Sequence, residues 1–165
     1  MRVSPVGYYA QTLDEALELA KVSAEVTHNH PEGIKGAQAT AAAIFMARQG
    51  KSKQEIKRYV EDTFGYDLSR TLDEIRPTFS FDETCQRTVP EAITCFLEGK
   101  NYEDVVRLSV ALAGDTDTIA AIAGSISSAV DDVPNDITHP VISLLSEELC
   151  TILLRFNQLV AKRDQ

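Results

Sequence analysis

No CxxC pair occurs among the three cysteines, Cys85, Cys95 and Cys150, and none stands at a recognisable metal-ligand spacing. An odd count so spaced excludes a disulfide framework and suits reduced, mostly buried thiols in a cytoplasmic protein. Basic residues are also in deficit: 16 Lys and Arg against 25 Asp and Glu give a formal net charge of -9. That balance argues against nucleic acid, whose phosphates are met by a basic face. No apolar run reaches the length of a bilayer, and two aspartates interrupt the nearest approach, LSVALAGDTDTIAAIAGSI. The first residues, MRVSPVGYYAQTLDE, lack the apolar stretch of a secretory signal. There is no repeat, no low-complexity tract and no alternating pattern of strand length.

What is present is helical periodicity nearly throughout. At 44% hydrophobic and 25% charged, 165 residues can bury one real core. Thr12 is placed to cap LDEALELAKVSAEV, whose Leu13, Ala16, Leu17, Ala20 and Ala24 share a face. IKGAQATAAAIFMARQG closes at Gly50, and Ser52 with Glu55 reads as a capping box. A short helix stops before Pro77, and residues 78–87 read as irregular surface chain. Pro90 suits a first turn, giving PEAITCFLEG, and Asn101 caps YEDVVRLSVALA. VDDVPNDITHP reads as loop, followed by the helical VISLLSEELCTILLRFNQLVAKR with room for one break. The reading is all-α: a single-domain orthogonal helical bundle over residues 1–165.

Two polar clusters interrupt this pattern. In AGDTDT, Asp115 is a good helix cap and Asp117 falls in a first turn, where negative charge is favoured. The same oxygens, with Thr118, would also suit Mg²⁺ or Mn²⁺, although three ligands do not fill an octahedron. Residues alone leave cap and cation both open. With the two aspartates close together and no cation between them, each charge should raise the other's pKa. In HNHPE, His28 and His30 lack the second ligand pair that zinc requires, and Asn29 or His30 can cap the helix begun by Pro31. Arg2, by itself, reads as a solvated terminal charge.

The ordered segments RVSPVG, SAEVTHNHPEGIKGAQATAAAIFMAR, GYDLSRTLDEIRPTFSFDETCQRTVPEAITCFLEG and LAGDTDTIAAIAGSI resemble the C-terminal portion of the bacterial ADP-ribosylglycohydrolase family. That resemblance implies an all-helical fold and a two-metal Mg²⁺ or Mn²⁺ site that hydrolyses ADP-ribosyl bonds, such as ADP-ribosyl-arginine. The family's D-x-D-T metal motif falls on Asp115, Asp117 and Thr118. Its T-H histidine is His28, beside the nucleotide, and of its N-G-x-x-M-R segment only Met1 and Arg2 are present. The CQ and T-V-P-x-A-I elements map to Cys85, Gln86, Thr88, Val89, Pro90, Ala92 and Ile93.

The family's T-D-D acidic motif and G-D-A segment have no counterpart in this sequence, nor do its N-terminal helices. Ala113 and Arg87 stand where the family commonly has glycine, and Arg87 could intrude on a pocket or mark its loss. The resemblance therefore implies half a metal site. Its partners would be ADP-ribose or an ADP-ribosylated protein, with a second copy or a separately encoded N-terminal half completing the fold. The alternative is an inactive, truncated member acting as an oligomeric interaction module, with the small residues 36–43 as a contact face. Neither reading involves nucleic acid or a membrane.

Overall fold

The computed structural model describes residues 1–163, and among them every regular element is a helix. In chain order these are α1 (Ser4–Tyr9), α2 (Leu13–His28), α3 (Pro31–Arg48), α4 (Lys53–Phe64) and α5 (Leu72–Ile75). Then come α6 (Cys85–Glu98), α7 (Tyr102–Ala111), α8 (Thr116–Ser127), α9 (Asn135–Ser143) and α10 (Glu147–Arg163). The fold is the all-helical one of the family that the sequence resembles.

Local chemistry sets most of the helix starts. Thr12 accepts a hydrogen bond from the Glu15 N–H, and Asn101 accepts one from the Asp104 N–H. Reciprocal capping boxes join Ser52 to Glu55 and Thr71 to Glu74. His30 caps α3, accepting from the Glu32 N–H, with Pro31 in the first turn.

Small residues place α3 at the centre. Ala39, Ala41, Ala42 and Ala43 are buried, and α1, α2, α4, α6 and α8 all pack on this helix. At one crossing a Cβ on Gly7 would lie 2.6 Å from Ile44 Cβ, so α1 can approach α3 only through a glycine. The small-residue stripe expected as an outer contact face is thus spent inside the molecule. Ile44, Ile93, Phe96, Ile119 and Ile126 are fully buried around it, each contributing about 1.5–3 kcal/mol relative to exposure.

Three elements differ from the sequence expectation. Pro90 lies well inside α6, which begins at Cys85. The preceding turn is held instead by packing, because Thr88 and Val89 are buried, and one missing N–H is tolerated there. Residues 135–140 are helical, so α9 starts inside the expected loop and carries Pro140 within it. Ser4–Tyr9 forms a short helix, with proline in its first turn, where none was expected.

Helices α9 and α10 contain no buried residue. Among the described residues no helix is long and apolar enough to cross a membrane.

Candidate functional site

The first three residues, the C-terminal half of α2, the N-terminal half of α3, the start of α6 and the first turns of α8 enclose a cleft of about 300 Å³. Arg2 and His28 line it together with Glu83, Cys85, Thr88, Asp115 and Thr118.

Arg2 is not frayed. Its Nη2 donates to the Ser23 carbonyl at 2.7 Å and to Thr27 Oγ1 at 2.6 Å. Those bonds tie the chain before α1 to the last turns of α2. The same Thr27 oxygen lies 2.6 Å from His28 Nδ1.

The acidic side depends on an unusual turn. Ala113 and Gly114 both have left-handed backbone, with φ of 67° and 77°. Such a φ is easy for glycine and costs an alanine about 1–2 kcal/mol. The pair of turns reverses the chain between α7 and α8 and delivers Asp115 to the capping position of α8. Yet the Asp115 side chain makes no cap hydrogen bond. Half-buried, it lines the cleft instead.

Asp117 is exposed and does not line the cleft. Its Oδ1 accepts the Thr118 N–H at 2.8 Å. Hydrogen bonding with the Asp115 side chain first, and with that N–H second, holds the Asp117 carboxyl below its ordinary range. The sequence reading expected neighbouring charge to push it up; hydrogen bonds to its ionised form lower it instead.

Arg87, which could have intruded on the pocket or marked its loss, is not among the cleft-lining residues. Its guanidinium stands 5.7 Å over the Phe79 ring and its Nε 3.8 Å from Asp82. Burial raises the Cys85 thiol above its usual value and pushes Cys95 up to about 12. Neither is thereby an activated nucleophile.

Asp115, Thr118 and Glu83 offer oxygen atoms, the donors a hard cation takes. Among the described residues, however, no three Asp, Glu, His or Cys side chains gather into a metal-binding group. The donors fit a cation in kind and fall short of a complete coordination sphere. Glu83 and Thr27 were not singled out from sequence. Both stand beside motif residues, Glu83 two before Cys85 and Thr27 directly before His28, and only the folded packing shows what they face.

Such a cleft, framed by helix ends in an all-helical scaffold, defines a class before it defines a family. The ADP-ribosylglycohydrolase family model matches residues 1–161. The chain belongs to the ADP-ribosylglycohydrolase family. Human ADP-ribosylhydrolase ARH3 is 28% identical, over 81% of this chain and 50% of its own length. An ADP-ribosylarginine hydrolase, Tri1 of Pseudomonas putida, is 24% identical, over 79% of this chain and 37% of its own length. The chain spans about half the length of the curated relatives it matches first.

Proposed function

We propose that this chain forms one wall of an ADP-ribosyl hydrolase site, acting on ADP-ribosyl bonds such as ADP-ribosyl-arginine. In this reading Arg2 and His28 take the nucleotide part of ADP-ribose. Asp115, Asp117 and Thr118 contribute to a Mg²⁺ or Mn²⁺ site, with Asp115 and Thr118 facing the cleft and Asp117 supporting the turn. A bound cation there would supply the charge that orients ribose hydroxyls beside the scissile bond. The remaining acidic ligands come from a segment outside these 165 residues. A cytoplasmic location and ADP-ribosylated protein as substrate belong to the same proposal.

One observation carries it: a half-buried Asp115 occupies a capping position without capping, and lines the same cleft as His28. Calorimetric titration of Mg²⁺ or Mn²⁺, with and without ADP-ribose, tests it. Binding strengthened by ADP-ribose and abolished by both Asp115→Ala and Asp117→Ala is the expected result. No binding at millimolar metal would overturn it.

A second reading, an inactive interaction module, is favoured by the apolar side chains left exposed on α9 and α10, Leu144 at 85% among them. Normal self-association with no affinity for cation or ADP-ribose would select it.

A further inference from the structure

The turn that delivers Asp115 is built against an aromatic ring. Gly114 has a φ of 77°, and a Cβ placed on it would lie 2.7 Å from Phe79 Cε1, with Cδ1 at 3.4 Å and Cζ at 3.5 Å. Three adjacent ring carbons thus fill the space a side chain would need. The ring is itself anchored. The Phe79 N–H donates to the carbonyl of buried Ile75 at 3.0 Å. From the first turn of α6, the Arg87 guanidinium stands 5.7 Å over the same ring, within cation–π reach.

Ala113, one residue earlier, has a φ of 67° that its own side chain does not explain, because that side chain is exposed. Backbone strain of this kind persists only where the surroundings enforce it. The neighbouring Gly114 bears the Phe79 ring, and the residue that follows, Asp115, stands at the α8 cap without making a cap hydrogen bond.

We infer that Phe79 is a positioning residue: its ring holds the left-handed Ala113–Gly114 turn, and that turn keeps the Asp115 carboxylate in the cleft and off the N–H groups of α8. Without the ring the turn relaxes, Ala113 leaves the left-handed region, and Asp115 falls back to the cap that its position favours. That the carboxylate is held in the cleft for a cation rests on the function proposed above; the positioning itself does not.

The test is a double-mutant cycle on the full chain, Phe79→Ala with Asp115→Ala, read by urea melts and by calorimetric titration of Mn²⁺ alone. With Phe79 present, Asp115→Ala should barely move the urea midpoint. In the Phe79→Ala background it should lower the midpoint clearly, because the carboxylate has become a cap. Phe79→Ala should also weaken Mn²⁺ binding roughly three- to thirtyfold, since the cleft-facing carboxylate is then a minor population. Phe79→Tyr keeps the ring and should behave as wild type in both measurements. Phe79→Leu should move both in the direction of Phe79→Ala, and it replaces that variant in the cycle if Phe79→Ala does not fold.

An equal effect of Asp115→Ala in both backgrounds overturns the inference, because the ring then only fills space. Mn²⁺ affinity unchanged by Phe79→Ala, in a chain whose wild type binds Mn²⁺, overturns it as well. A wild-type chain that binds no Mn²⁺ overturns the metal reading instead, and the urea cycle alone then decides the positioning.

Discussion

At the first turn of α8 the capping position and the cleft compete for one carboxylate. Asp115 gives up the bond a capping aspartate usually accepts, so Asp115→Ala should cost less than about 0.5 kcal/mol of stability. Thr12→Ala removes an actual cap and should cost about 1 kcal/mol. Paired urea melts decide; equal losses would mean that Asp115 is an ordinary cap. Sequence alone could not separate these roles, because cap and ligand call for the same residue at the same place. The strain beside it was equally hidden. Ala113 reads as an unremarkable small residue until its φ of 67° is known. Since its side chain is exposed, Ala113→Gly removes the strain without opening a cavity. After allowing for the extra freedom of glycine in the unfolded chain, it should stabilise by up to about 1 kcal/mol, visible as a higher urea midpoint.

At the scale of elements, local signals were legible and tertiary ones were not. The Thr12, Ser52 and Asn101 starts could be read because each cap is settled within a few residues. Pro90 could not: the turn before it is helical because Thr88 and Val89 are buried against other helices. The α4 cap has a pH signature. Hydrogen bonds from the Ser52 backbone first, then its hydroxyl, then Lys51, lower the Glu55 carboxyl from 4.5 to about 2. A carboxylate depressed on folding stabilises above its unfolded value, and that contribution is lost as pH falls through the folded one. Glu55 is fully solvent-exposed, so the effect is screened and small. Urea melts should therefore show stability falling from pH 4.5 toward about 2, and Glu55→Gln should flatten that limb. An identical acid limb in the variant would show that the box does not contribute.

For the whole molecule, the balance lies between a packed half and an uncovered one. Helices α1, α2, α4, α6 and α8 pack on α3, whereas α9 and α10 bury no residue. Phe156 lines a groove together with Pro5, Tyr9 and Leu19, and Arg163 pairs with Glu15 at 3.1 Å and stacks 4.0 Å from the Tyr9 ring. Those contacts are partly exposed and worth little individually. Meanwhile Leu144, Leu149, Ile152, Leu154 and Leu159 face outward, an arrangement that short helices in water rarely sustain by propensity alone. The helical pattern of this segment was legible; its lack of cover was not, because periodicity names an apolar stripe and not what lies against it. Removing residues 132–165 should therefore leave the unfolding free energy from urea melts nearly unchanged, within about 0.5 kcal/mol, while sharply lowering the binding of a hydrophobic dye. A loss beyond about 2 kcal/mol would instead make α10 part of the core, with Phe156 and Arg163 as its anchors on α1 and α2.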